Sequence, residues 1–172
     1  VGVTLLSTAL VGVLAIAVAG YLTLGENPRA MAMLRWIYRW PMFIPFVVAA
    51  QLMRTFLAKS GMLNNSLMSL GLLEPLNAMS LLDWRGVVVT FVWKQLPFAA
   101  LLIGGAMAAM DRSLIESARG LGAGRLRILV EIVLPQVSAT VWVSLILSFV
   151  TMLSALSVPM MIIAGSPTML TV

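Results

Sequence analysis

The chain has 172 residues, of which 61% are hydrophobic and only 10% charged; a soluble domain carries roughly 25% charged residues, so this chain could not cover a water-facing surface. Cys and His are absent, which removes disulfides, thiolate nucleophiles and the usual zinc and haem ligands. The net charge is +5, but the basic residues flank apolar stretches and form no single patch, which is the positive-inside pattern of a membrane protein and not a nucleic-acid surface.

Four stretches with little or no charge are long enough to cross a bilayer, which takes about 20 helical residues. The first runs from Val3 to about Leu24, without charge and with Ala15, Ala17, Ala19 and Gly20, small residues that let helices approach closely in lipid. Gly25-Glu26-Asn27-Pro28 ends it, and Arg29, Arg35 and Arg39 follow. The second is expected from Trp40 to Ala58. Pro41 sits in its first turn, where a missing N–H costs nothing, and Pro45 should bend it early. Trp36 and Trp40 fit an interfacial belt. Residues 60–85 form a longer connection, with Asn64, Asn65, Gly71, Pro75 and Asp83, that could hold a short interfacial helix.

The third stretch runs from Gly86 to Met110 and carries Lys94, Gln95 and Pro97 in an apolar run. A charge deep in lipid is costly and usually faces protein or water. Lys94, placed near the outer third, either snorkels or packs, or else lines a pathway with Gln95. The fourth is expected from Val137 to Ala155, after which Pro159, Gly165 and Pro167 argue against one continuous helix. Ser144, Ser148, Thr151 and Ala155 recur there at helical spacing, either for close packing or as pathway lining, with Ser144 favoured for packing and Thr151 for the pathway.

Lysines and arginines in the loops set the orientation. The loops after the first and third stretches hold seven, against two (Lys59 and Arg85) in the intervening connection, so the first pair lies in the cytoplasm.

The polar segment 111–135 is the informative one. Ser113 and Glu116 have the spacing of a capping box. A short helix follows, and Gly120 and Gly122 should stop it, since both tolerate left-handed dihedrals. A second helix then runs from about Gly124 into the membrane, with Pro135 at the junction. Helix, sharp turn and helix make a knob that a soluble partner can grip. Arg119, Arg125 and Arg127 either face phospholipid headgroups or contact that partner.

This segment resembles the EAA loop of type I binding-protein-dependent ABC importer permeases. That motif runs E-A-A, three residues, G, nine residues, then I-x-L-P; here stand Glu116, Ser117, Ala118, then Gly122, then Ile132, Leu134 and Pro135, with Ser117 the small-for-small departure in the triplet. Gly120, Ala123 and the lead-in Asp111-Arg112-Ser113-Leu114 are similar as well, as are Thr4-Leu5-Leu6, the Pro41 to Pro45 helix start and the Trp93-to-Pro97 spacing, so the likeness covers nearly the whole chain.

The resemblance implies an all-α polytopic bundle of the type I ABC importer permease class. About four spanning helices lie in this chain, with a coupling helix pair at 111–135 in one permease domain over 1–172. It also implies a further helix after residue 172, so that the chain would be a core fragment. The implied role is a non-catalytic permease subunit in the bacterial cytoplasmic membrane, with Glu116, Ser117, Ala118, Gly120, Gly122, Ala123, Leu134 and Pro135 as the coupling residues. Implied partners are cytoplasmic ATPase subunits that bind the ATP and Mg, a second permease (identical or homologous), an extracytoplasmic solute-binding protein and the bilayer, with no nucleic acid. Gly120-Leu121-Gly122-Ala123 looks closest to permeases for polyamines, iron(III) or phosphonates, with a sugar-type permease as the alternative. A membrane-embedded enzyme would need convergent titratable groups, and this chain has only six carboxylates, mostly in loops. An autonomous channel would not need the knob.

Overall fold

The structure, a computed structural model, describes residues 1–71 and 80–163. Among these residues every regular element is helical.

Helix α1 (Gly2–Leu24) is uncharged along its length, and at 1.5 Å per residue it spans about 34 Å. One face is buried and the other is not: Val11, Ala15 and Ala19 are fully buried, while Leu5, Leu10, Val13 and Ala17 are exposed. A single turn leads to α2 (Pro28–Arg39), where Pro28 occupies the first helical turn and the Asn27 side chain accepts from the N–H groups of Arg29 and Ala30. This helix is amphipathic, with Tyr38 buried and Trp36 and Ile37 exposed. A 3₁₀ turn (Trp40–Phe43) continues it.

The expected continuous second span is corrected here. The chain breaks at Ile44-Pro45, and α2 with its 3₁₀ turn stands at 110° to the following helical stretch. Pro45 lacks the N–H that would extend the ladder, and Ile44 turns to β dihedrals while donating back to the Pro41 carbonyl. Only α3 (Phe46–Leu57) follows in the expected direction, about 18 Å of helix against a hydrocarbon core of about 30 Å. The short helix expected in the connection is α4 (Met62–Ser69); Pro75 lies outside the described residues.

Helix α5 (Trp84–Ala108) is capped by Asp83, whose carboxylate accepts the Arg85 N–H at 2.8 Å. More than half of its apolar window is buried, against a third for α1 and under a quarter for α8. α5 is therefore the axis of the bundle, and α1 and α8 turn most of their surface outward. α1 and α5 run parallel: Gly104 lies against Ala19, and Thr23 donates to the Met107 sulfur.

After α5 come α6 (Arg112–Gly120) and α7 (Arg125–Ile128), which passes through a π segment (Leu129–Val133) into α8 (Leu134–Ser154). Together α7, the π segment and α8 form one 30-residue apolar helix, longer at its inner end than the fourth stretch expected at Val137–Ala155. α8 runs antiparallel to α1. A Cβ at Gly12 or Gly20 would sit 2.9 Å from a methyl of Leu145 or Leu129, so these glycines set how closely the two helices approach. The chain turns at Ala155 into α9 (Ser157–Ile162), which folds back so that Ile162 packs beside Gly86. That turn agrees with the break expected near Pro159; Gly165 and Pro167 lie outside the described residues.

Candidate functional site

The knob is built from its caps. Asp111, not Ser113, is the N-cap of α6: its carboxylate accepts the Ser113 N–H at 2.9 Å. This bond, helped by the Ser113 hydroxyl, holds the Asp111 carboxyl below the usual carboxylate range. The expected Ser113–Glu116 capping box is therefore corrected. Ser113 already lies inside the helix, and the Glu116 carboxylate is exposed and forms no hydrogen bond or ion pair with the described residues.

Ile115 and Ala118 form the buried face of α6, and Glu116, Ser117 and Gly120 stand on the exposed side. The helix ends in a Schellman motif: the Ala123 N–H donates to the Ala118 carbonyl at 3.0 Å and the Gly122 N–H to the Arg119 carbonyl at 2.9 Å. Gly122 takes φ +81, the left-handed position this motif requires, whereas Gly120 remains helical. At the apex Leu121 is 89% exposed, and Leu126 on the far side of the turn is 75% exposed.

Two contacts fix the knob to the end of α1. Arg119 donates through Nη2 to the Leu24 carbonyl at 3.0 Å, placing a cation on the last turn of α1. Arg125 pairs with Glu26 at 2.6 Å, both groups more than half exposed, so this pair contributes about 0–1 kcal/mol. Arg127 pairs with Glu131 one turn along its own helix. These three arginines thus have partners within the chain, an assignment that sequence reasoning did not include.

The π segment explains Pro135. A proline in the early turns of α8 has no N–H for the Glu131 carbonyl, and its ring crowds that carbonyl. Widening the preceding turn relieves the clash: the Leu134 N–H reaches back to the Leu129 carbonyl, one residue further than in an α-helix. Pro135 was the only sequence signal for this feature.

Within the bundle, Lys94 and Gln95 are buried and point to different neighbours. Lys94 is the eleventh residue of the 25-residue α5, about 15 Å from its start. Its ammonium donates to the Met42 carbonyl at 3.1 Å and stands 5.1 Å from the centre of the Phe46 ring, bridging the break between α2 and α3. The Gln95 amide donates to Ser148 Oγ of α8 at 3.2 Å. Ser144 is fully buried and bonded to the Val141 carbonyl, whereas Thr151 is exposed and bonded to the Leu147 carbonyl. The expected common face of Ser144, Ser148 and Thr151 therefore divides into a buried seam and an outward residue.

A helical bundle with three spanning helices and one broken one, carrying a capped polar knob, defines a multi-pass membrane protein. The chain belongs to the binding-protein-dependent transport system inner membrane component family, whose model matches residues 11–172. It is 29% identical to the sulfoquinovosyl glycerol transport system permease protein SmoG of Agrobacterium fabrum, over 88% of this chain and 53% of the relative. It is 27% identical to the spermidine/putrescine transport system permease protein PotB of Escherichia coli, over 76% of this chain and 48% of the relative. The chain thus spans about half the length of these relatives. Among solved structures it is similar to a chain of a bacterial alginate ABC transporter, in complex with an alginate pentasaccharide-bound periplasmic protein. The TM-score there is 0.69 and the identity 25%, over 86% of this chain and 54% of that one.

Proposed function

We propose that the chain is the membrane core of a permease subunit in an ATP-driven ABC importer, and that the knob from Asp111 to Gly124 docks on a cytoplasmic ATPase subunit. The observation that carries this reading is the knob itself. It is a rigid helix–turn–helix held to α1 by Arg119, with an unpaired carboxylate at Glu116 and an apolar side chain in water at Leu121. Both are groups that a partner's groove would satisfy. The permease role needs no chemistry from this chain, because ATP and magnesium sit on the partner. A second permease and an extracytoplasmic binding protein complete the proposed assembly. The relatives are named for spermidine/putrescine transport in one case and sulfoquinovosyl glycerol transport in another, so the proposal extends to solute import and not to one solute. Gln95 and Ser148 are proposed to steady the helices around the pathway and Thr151 to face it.

The test is retention of an ATP-hydrolysing subunit on the affinity-tagged full-length protein extracted from membranes. Wild type should retain it. Leu121→Asp should reduce retention at least about tenfold, since a buried leucine contributes about 1.5–3 kcal/mol, and Glu116→Ala should also reduce it, with membrane insertion unchanged in both. Full retention in both variants would remove the docking site, and no ATPase on wild type would remove the functional reading.

A further inference from the structure

A cavity of about 590 Å³ opens between the end of α1, one face of α2, the last turns of α5 and the inner face of α6. It lies at the end that the arginine asymmetry places in the cytoplasm. Its rim is strongly cationic. Arg35 and Arg39 come from α2, Arg112 and Arg119 from α6, and Glu116 is the only carboxylate lining it among the described residues. Arg119 is committed to the Leu24 carbonyl, and Arg39 lies 5.9 Å over the Tyr38 ring. Arg35 and Arg112 make no hydrogen bond or ion pair with the described residues. The wall beneath the rim is apolar, formed by Leu22, Leu101, Met107 and Ile115.

Depth narrows the choice of ligand. Trp36 on α2 and Trp40 at the start of the 3₁₀ turn, both mostly exposed and packed edge to face at 5.0 Å, stand beside the arginines. Tryptophans of this kind settle at the headgroup level of a bilayer. The cationic rim is therefore at phosphate depth, and the apolar wall continues toward the acyl region along α1 and α5. Basic pockets between helices on the cytoplasmic side suit anionic headgroups, and guanidinium groups match phosphate oxygens in fork geometry.

We propose that this cavity is a binding site for an anionic phospholipid of the cytoplasmic leaflet. The phosphate lies between Arg35 and Arg39 on one side and Arg112 on the other, and an acyl chain lies against Leu101 and Met107. A bound lipid would tie α2 to α6 and so stiffen the base of the knob. The proposal depends on membrane orientation and not on what the protein carries.

The experiment uses the intact full-length complex, extracted from membranes containing phosphatidylglycerol and phosphatidylethanolamine, with retained lipids measured by native mass spectrometry. Wild type should retain phosphatidylglycerol preferentially. Each of Arg35→Gln and Arg112→Gln should weaken retention about fivefold. Gly105 lines the cavity, and a Cβ there would meet nothing within 4 Å, so Gly105→Leu should obstruct the acyl wall and lower retention without altering charge. Unchanged retention in the arginine variants would overturn the proposal. No anionic lipid on wild type, as expected if a partner subunit fills the cavity, would also overturn it. Displacement by millimolar inorganic phosphate together with indifference to Gly105→Leu would assign the rim to a soluble anion and overturn the lipid assignment.

Discussion

Gly122 carries the turn of the knob through conformation alone. Its φ of +81 disfavours any side chain, yet a Cβ placed there would meet no atom within 4 Å. Substitution therefore has a backbone cost of about 1–2 kcal/mol and no steric one, with Asn the best-tolerated replacement. Gly122→Ala should speed hydrogen exchange at the Ala123 amide, which is bonded to Ala118, about fivefold or more, and Gly122→Asn by less. Equal exchange in wild type and both variants would show that the left-handed residue does not hold the knob closed. Sequence reasoning reached Gly122 because glycine at such a position has a specific physical use. It misplaced the helix start because Asp111 and Ser113 are both good caps two residues apart. Asp111 wins by adding helical residues before the buried Ile115, and its anion lies at the positive end of the helix.

At the scale of elements, spans free of charge were legible from length alone, and breaks in them were not. Pro45 signalled a bend but not one of 110°, because the angle depends on what receives the freed carbonyls. Met42 would bond Phe46 in an unbroken helix; here its carbonyl takes the Lys94 ammonium instead. Lys94 thus holds the break from a neighbouring helix, a long-range pairing that no local pattern encodes. Lys94→Met removes this part-buried hydrogen bond from a charged donor, which contributes about 1.5–3 kcal/mol. It should lower the melting temperature of the detergent-solubilised protein, and Lys94→Gln, which keeps an N–H donor, should recover part of the loss. A Lys94→Met protein that melts like wild type would show that the ammonium does not hold the break.

For the whole molecule, packing fixes which loops share a side before any membrane is considered. α1 and α5 are parallel, and Arg119 reaches the Leu24 carbonyl, so the segments after both helices lie at one end. The Leu81 N–H donates to the Leu57 carbonyl, which brings the end of α3 to the start of α5 and places α4 toward the opposite end. The relative arrangement thus follows from helix contacts, whereas the absolute sidedness rests on the seven basic residues of two loops against two of the third. That bias was legible in the sequence; the parallel pairing that makes the two basic loops neighbours was not, because it depends on Ala19 meeting Gly104 far along the chain. Residues 1–172 contain no cysteine, so a thiol introduced among them is the sole thiol of this segment. Ser117→Cys on the exposed side of α6 should resist a membrane-impermeant maleimide in intact cells, and Ser69→Cys at the end of α4 should react. Permeabilising the cells and unfolding the protein should make both reactive, since a docked ATPase subunit would otherwise cover Ser117, which is exposed in the chain by itself. The reverse pattern in intact cells would invert the protein, and would carry the knob, the arginine-lined cavity and their proposed partners to the other face of the membrane. Labelling of both positions in intact cells would instead contradict the opposite placement of α4 and α6, and with it the bundle arrangement.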